Sequence, residues 1–314
     1  MKFTIVIHGG AGTILKEDMT SELEQAYTSA LNDALEAGYS VLETGGSALD
    51  AVKTATIILE DNTLFNAGRG SVFTKKGLHE MDAAVMEGKS LLAGAVAGVR
   101  NIRNPIELAI EVMQHSNHVF LSGEGANDFA INRGIKVEPD EYFFSQFRYD
   151  QWKSIRDSDS YSLDHSQDKV EKLMKHRKFG TVGAVACDQT GTIAAATSTG
   201  GMTNKKYGRI GDTPVIGSGT YANNHTCAVS CTGHGEPFIR AVAAYDVSCL
   251  MEYKGYTVQQ ASEEVILKKL VELNGEGGLI AVDAQGTPAM VFNSAGMYRA
   301  FKSSDGSHEV AIYK

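Results

Sequence analysis

At Gly180 the sequence changes character within a single residue. Upstream, residues 151–180 (QWKSIRDSDSYSLDHSQDKVEKLMKHRKFG) mix charges and serines with no steady period of two or of 3.6, so about 139–179 reads as a mobile connection. Downstream, residues 181–187 (TVGAVAC) are apolar and strand-like, a turn follows at 188–191 (DQTG), and 192–197 resumes the apolar pattern. A β-hairpin is the simplest reading. Whatever fold this chain adopts must bury that hairpin while accommodating an irregular polar segment directly before it.

The remaining periodicities supply the layers. Residues 3–7 alternate and are β-rich, predicting a strand that ends in the glycine turn His8-Gly9-Gly10-Ala11-Gly12. A capping box from Ser21 to Glu24 opens a helix with the stripe Leu23, Ala26, Tyr27, Ala30, Leu31, Ala34, Leu35, and a second box, Ser47 to Asp50, opens a helix through Ala51, Ala55, Ile58 and Leu59. Such amphipathic helices need a sheet to cover. Short strands around 71–74, 80–86 and 91–99 supply one, followed by helices after Asn104-Pro105 and near 124–133. Beyond the hairpin, helices at about 235–254 and 257–273 precede strands near 278–283, 287–292, 297–302 and 308–313. Strands then helices in each half, rather than strict βαβ alternation, predict an α+β fold with helices flanking stacked, mainly antiparallel sheets.

Composition narrows the function. The 314 residues include 29 Lys and Arg against 38 Asp and Glu, a net charge of −9, with no basic block, which argues against nucleic acid and anionic membranes as partners. No window approaches 18 consecutive apolar residues and the first apolar run stops at His8, so a cytoplasmic protein is expected. The cysteines, Cys187, Cys227, Cys231 and Cys249, lack CxxC spacing and read as small buried hydrophobes. Gly is in excess, 33 against 5 Pro, scattered in GG and GxG pairs that mark tight turns and close backbone approaches.

Several familiar patterns lead nowhere. Residues 8–12 (HGGAG) look like the oxyanion-hole glycines of lipases, but no GxSxG exists for them to serve. Residues 217–222 (GSGTYA) approach a dinucleotide fingerprint without the βαβ unit it requires. Neither a Walker loop nor HExxH occurs. What stands out is Thr181 at the junction. Around it in the sequence come 197–201 (TSTGG), Arg209 and Asp212 within 207–213 (YGRIGDT), and 232–236 (TGHGE): hydroxyls, one cation, one anion and backbone amides in glycine turns.

These segments carry a resemblance. GTVGAVA at 180–186, TSTGG at 197–201, GRIGDTP at 208–214, GSGTYANN at 217–224 and TGHGE at 232–236 resemble the plant-type L-asparaginase and isoaspartyl peptidase family of N-terminal-nucleophile hydrolases. So do HGGAG at 8–12, LEDNTLFNAGRG at 59–70, EMDAAVM at 80–86, AGAVAGV at 93–99, NPI at 104–106 and GEGANDFA at 123–130. The resemblance spans nearly the whole chain except 139–179. It implies a single domain, 1–314, folded as a four-layer αββα sandwich and made as a precursor that cuts itself between Gly180 and Thr181 into 1–180 and 181–314, paired as a homodimer of cleaved units, (αβ)2.

The implied chemistry is consistent with the residues. Cleavage would place an α-amine, reference pKa about 7.7–8.0, beside the Thr181 hydroxyl, so that one residue supplies nucleophile and base. Carried over position by position, Thr199 tunes the nucleophile, Thr232 and the Gly233 amide form the oxyanion hole, and Asn66 orients Thr181. Arg209 takes a substrate α-carboxylate, and Asp212 with Gly235 takes its α-ammonium group. Leu59, Glu60, Asn62, Phe65, Ala67 and Arg69 correspond to a backbone loop for a structural sodium ion, with no cofactor for catalysis. The implied substrates are L-asparagine and β-aspartyl dipeptides. Two alternatives stand beside this reading: a glycosylasparaginase, against which the Gly-Thr-Val-Gly form at 180–183 argues, and a non-catalytic small-molecule-binding domain in which Thr181 merely starts a strand.

Overall fold

The computed structural model describes residues 2–156 and 180–314. The elements run β1 Thr4–Gly12, α1 Ser21–Glu43, α2 Ala48–Asp61, β2 Met81–Glu87, β3 Ala93–Val99, α3 Pro105–His115, β4 Phe120–Ser122, α4 Gly123–Arg133, α5 Asp140–Phe143 and α6 Gln146–Ile155. The second part holds β5 Val182–Cys187, β6 Ile193–Thr199, β7 Thr220–Ala222, β8 Cys227–Gly233, α7 Gly235–Ala241, α8 Ala243–Lys254 and α9 Val258–Glu263. A π-helical turn, Glu264–Lys269, leads into α10 Leu270–Glu272, and β9 Gly277–Asp283, β10 Pro288–Phe292, β11 Gly296–Ser303 and β12 His308–Tyr313 complete the order.

Two sheets stack. The larger has the order β12-β11-β1-β5-β6-β2-β3-β4, antiparallel except for the short parallel pair β3–β4; the smaller, β10-β9-β8-β7, is antiparallel throughout. Period two explains the layering. On β5, Val182, Ala184 and Ala186 face the core beneath α1, α2 and α3, while Val185 and Cys187 face the other sheet. On β8, Cys227, Val229 and Cys231 face α8 and α9, whereas Ala228 points between the sheets with Ile280 and Val282 of β9. Both hairpin faces are therefore buried, and the fold is the αββα sandwich. The small side chains of β5 and β6 also allow helix and sheet to approach closely. Gly38 shows the tightness, since a Cβ there would collide with Ile5 of β1 and stand 3.1 Å from the Ala51 carbonyl of α2.

The structure moves several expected boundaries. The glycines at 8–12 are not a turn but the end of β1, bulged between His8 and Gly10 where it pairs with β11. The first helix is capped by Thr20, whose hydroxyl accepts the Leu23 amide at 3.2 Å, which makes Ser21 the first helical residue. Ala26 lies on the exposed side of that helix. Ser47 caps α2 as its sequence indicates. Residues 71–74 form no strand, and β3 begins at Ala93 because Leu91 turns at φ 58°. The helix expected over 235–254 breaks at Val242, φ 51°.

The largest correction concerns the supposed mobile connection from 139. Its first part is α5 and α6, which dock on the body of the protein. Phe73 meets Phe144, Tyr149 and Trp152 at ring-centroid distances of 6.2, 6.0 and 5.6 Å, and Phe143 lies 6.0 Å from His79. Aromatic residues spaced irregularly over two short helices leave no periodic signal, yet Phe143 is buried and Tyr149 and Trp152 are half-buried. The rest of that expectation falls on 157–179, outside the described residues.

Candidate active site

Thr181 lies between Gly180 and the first residue of β5, Val182, and is 7% exposed. β6 pairs antiparallel beside it, with Val182 opposite Ser198, so the next β6 residue, Thr199, reaches Thr181 by register alone. The Thr181 hydroxyl donates to Thr199 Oγ1 at 3.3 Å. The Thr199 hydroxyl in turn donates to the Gly180 carbonyl at 3.1 Å and accepts the Gly201 amide at 2.9 Å.

Asn66 locks this geometry from below. Its backbone carbonyl accepts the Gly200 amide at 3.0 Å, its Nδ2 donates to the Gly201 carbonyl at 2.7 Å, and its Oδ1 accepts the Val72 amide at 3.0 Å. A Cβ at Gly180 would stand only 2.5 Å from the Asn66 Cβ, and one at Gly200 would collide with Asn66 Oδ1. Both glycines are needed for this approach.

Gly180, Thr181, Thr199, Arg209, Asp212 and Gly233 line one cleft, together with Gly201, Met202, Gly211 and Thr213. Asn66, Thr232 and Gly235 are not among the residues that line it. Asp212 is 4% exposed, and burial first of all pushes its carboxyl up to about 7, with Arg209 pulling the other way. Its Oδ2 has no hydrogen-bond partner among the described residues. A Cβ at Gly235 would be 2.9 Å from both Arg209 Nη2 and Asp212 Oδ1, so the cation and the anion flank this one glycine.

Glu236 holds Arg209 bidentately, Nε at 2.9 Å and Nη2 at 2.8 Å, and His234 stands 3.2 Å from the same carboxylate. Burial would raise the Glu236 carboxyl, but hydrogen bonds from His234 and Arg209 hold it well below the ordinary range. TGHGE displays this glutamate in the sequence, yet its acidity alone does not announce an arginine 27 residues upstream as its partner.

Thr232 is the penultimate residue of β8 and is 1% exposed. Its Oγ1 accepts the Ala11 amide from β1 at 3.2 Å, and Gly233 follows at φ 148°, where a side chain is disfavoured. The HGGAG segment thus has a place: it brings β1 up to the end of the second sheet. A Cβ at Gly9 would collide with the Phe65 ring. His8 is fully buried, its Nε2 2.9 Å from Ser230 Oγ, and Ser230 joins Thr197 and Thr220 in a buried hydroxyl chain with steps of 2.8 and 2.7 Å. Burial pushes the imidazole down to about 3, with the Thr181 backbone opposing, so the ring is neutral across the physiological range.

No residue from Leu59 to Arg69 lines this cleft, although Asn66 within the segment supports Gly180 and the Gly200–Gly201 turn. Its carbonyls crowd two glycines: the Glu60 carbonyl faces Gly68, and those of Asn62, Thr63 and Phe65 surround Gly70. The Glu60 side chain turns inward, where Oε1 accepts Ser198 Oγ at 2.6 Å and the Ile106 amide at 3.1 Å, and burial pushes its carboxyl up to about 8. Cys227 and Cys231 face the core between the small sheet and its helices, where burial raises both thiols.

Comparison with known proteins agrees with the arrangement. The sequence model of a family described as asparaginase matches residues 1–312. An isoaspartyl peptidase of Salmonella typhimurium is 50% identical over 314 residues, covering 100% of this chain and 99% of its own length. The isoaspartyl peptidase of Escherichia coli is 50% identical over 313 residues, covering 100% and 97%. An isoaspartyl peptidase/L-asparaginase of Danio rerio is 44% identical over 293 residues, covering 93% and 90%. With its sandwich fold, its buried threonine pair and a match along its whole length, the chain belongs to the asparaginase family.

Proposed function

We infer that this protein is a self-cleaving amidohydrolase of β-aspartyl amides, converting L-asparagine to aspartate and ammonia, and β-aspartyl dipeptides to aspartate and the second amino acid. The observation that carries the reading is the meeting, in one cleft, of the threonine directly before β5 with Arg209 and Asp212. A free β-aspartyl substrate presents an α-carboxylate and an α-ammonium group on one carbon. A guanidinium and a buried carboxyl on either side of Gly235 suit that pair of charges.

The uncut geometry supports the first step. Thr199 donates to the Gly180 carbonyl, which polarises the bond due to break, while the Thr181 hydroxyl stands beside it. Attack of Thr181 Oγ on the Gly180 carbonyl carbon, followed by departure of the Thr181 nitrogen, leaves an ester. Water then cleaves that ester, releasing the Gly180 carboxylate and restoring the Thr181 hydroxyl beside the α-amine freed in the first step. In the matured site that amine takes the hydroxyl proton. Thr181 Oγ attacks the β-carbonyl of the substrate, the Thr232 hydroxyl and Gly233 amide receive the oxyanion, and ammonia or an amino acid leaves with the proton. Water completes the cycle.

The carbonyls crowding Gly68 and Gly70 fit a hard monovalent cation such as sodium, held by Leu59, Glu60, Asn62, Phe65, Ala67 and Arg69 through their backbones. Its part would be to stiffen this loop, and no cofactor enters the chemistry. We place the enzyme in the cytoplasm as a dimer of cleaved units, (αβ)2. Among the described residues no helix is long and apolar enough to cross a membrane.

A denaturing gel and amino-terminal sequencing test the reading. The purified chain should resolve into two fragments, the smaller beginning at Thr181, and should release aspartate from a β-aspartyl dipeptide. Thr181→Ala should remain one folded, inactive chain. A smaller fragment starting elsewhere, or hydrolysis by that variant, overturns it.

A further inference from the structure

The arm formed by α5 and α6 does more than cover Phe73. From the first turn of α6, Arg148 points inward and is 4% exposed. Its Nε donates to the Gly70 carbonyl at 3.0 Å, its Nη2 to the Leu64 carbonyl at 3.3 Å, and its Nη1 to Gln151 Oε1 at 3.5 Å. The Tyr27 hydroxyl donates to the same Leu64 carbonyl at 3.3 Å. Among the described residues no carboxylate pairs with this guanidinium. Burying a cation against neutral carbonyls is costly, and a hydrophobic contact would fasten a surface arm more cheaply.

The two carbonyls it grips bracket Asn66. Neither Leu64 nor Gly70 belongs to the set proposed to face a cation, so Arg148 takes other carbonyls of the loop. Asn66 is the residue that makes hydrogen bonds to Gly200 and Gly201 and lies against Gly180. Hydrogen bonds tie Arg148 to Leu64 and Gly70, the backbone between those two carries Asn66, and hydrogen bonds run on from Asn66 through the Gly200–Gly201 turn to Thr199 and Thr181. We propose that Arg148 is a positioning residue for the reaction: it fixes the Leu64–Gly70 loop so that Asn66 sets Thr199 and Thr181 at reacting distance. The arm therefore belongs to the working site both before and after chain cleavage. The proposal rests on the reading of Thr181 as nucleophile.

A double-mutant cycle separates positioning from mere stabilisation. Arg148→Met, Asn66→Ala and the pair together are compared with the parent for the half-time of Gly180–Thr181 scission and for kcat and KM of the fully cut protein, with thermal midpoints recorded in parallel. Loss of alignment costs up to about a hundredfold. Arg148→Met should therefore lower kcat about ten- to a hundredfold with KM within about twofold, and the double variant should be no slower than Asn66→Ala alone. Arg148→Lys, which keeps the cation but not the fork, should fall between parent and Arg148→Met, and it carries the test if the methionine variant does not fold. Losses that multiply in the double variant, or an Arg148 variant that turns over like the parent once cut, overturn the proposal. Should the parent fail to hydrolyse β-aspartyl substrates, the functional reading falls on that result alone, and the scission half-times still decide the part played by Arg148.

Discussion

Two regions meet at Thr181, and they are built on opposite plans. On one side, the loops from Arg209 to Thr213 and from Thr232 to Glu236 present charges, a hydroxyl and amides to the cleft. On the other, the loop from Asn62 to Ser71 and the arm beneath it work mainly through backbone carbonyls, glycine contacts and aromatic packing. In the first region the residue type is itself the chemistry. In the second, position is what matters, and many residue types could in principle supply it. Changes in the first should remove a specific interaction and show in one kinetic constant; changes in the second should misplace groups that are all still present.

The largest effect in this contrast is expected from Thr232→Val, which keeps the shape and deletes one hydroxyl. A single lost oxyanion donor typically costs about a hundredfold to a thousandfold in turnover. The oxyanion proposed to meet this hydroxyl exists only in the transition state, so kcat should fall with little change in KM. Steady-state kinetics on a β-aspartyl dipeptide, using protein shown to be fully cut, decides this. An unchanged kcat would remove Thr232 from the mechanism. Since Thr232 Oγ1 also accepts the Ala11 amide, a small drop in thermal midpoint should accompany the kinetic loss.

A smaller effect of the second kind is expected from Gly200→Ala. No functional group is lost, but the added methyl would occupy the space of Asn66 Oδ1 and come 2.7 Å from the Ser71 Cβ. Asn66 must then move, and the Gly201 amide that holds Thr199 moves with it. Misplacement on this scale costs up to about a hundredfold, and here scission and turnover should slow together. If Gly200→Ala matures and turns over normally, the support region is softer than its packing implies. A Gly200→Ala chain that slows scission but not turnover would confine the constraint to the precursor.

The same contrast explains what could be read from sequence. The hairpin, the helix stripes and the order of strands were legible because burial on the faces of helices and sheets imposes periods of 3.6 and two. Thr181, Thr199, Arg209, Asp212 and Thr232 stand out in the sequence through the motifs shared with the asparaginase family, and the structure brings the first four of them to one cleft. Arg148 was hidden in a segment whose mixed charges look solvated, and only its acceptors, two backbone carbonyls about 80 residues upstream, reveal that it is buried. The partner of His8 is not legible in the sequence, since nothing local indicates that Ser230 lies across the sheets from it. The helix break at Val242 leaves no signal in the sequence, because a positive φ at a β-branched residue runs against local preference.

The smallest predicted effect separates the cleft from its support by charge alone. Burial holds the Asp212 carboxyl up at about 7 rather than its ordinary 3.8, so the substrate-free native state binds this proton more tightly than the unfolded chain does. The sign follows from that difference: between about pH 4 and 7 this group makes the fold progressively less stable as pH rises, and above 7 the full penalty of a buried carboxylate remains. Asp212→Asn removes the charge while preserving the shape. In an uncut Thr181→Ala background, its thermal midpoint should exceed that of the Asp212 parent by a few degrees at pH 8, with the gain shrinking toward pH 5. A gain independent of pH, or a loss at pH 8, would mean that Arg209 already compensates the carboxylate. In the active chain a substrate ammonium should hold the carboxyl ionised, and kcat/KM should therefore rise with pH through about 7. That limb should disappear in Asp212→Asn together with most of the discrimination against N-acetylated substrates, leaving only the limb of the Thr181 α-amine. Residue 212 would then be a group kept at an electrostatic disadvantage in the empty cleft because the substrate relieves it.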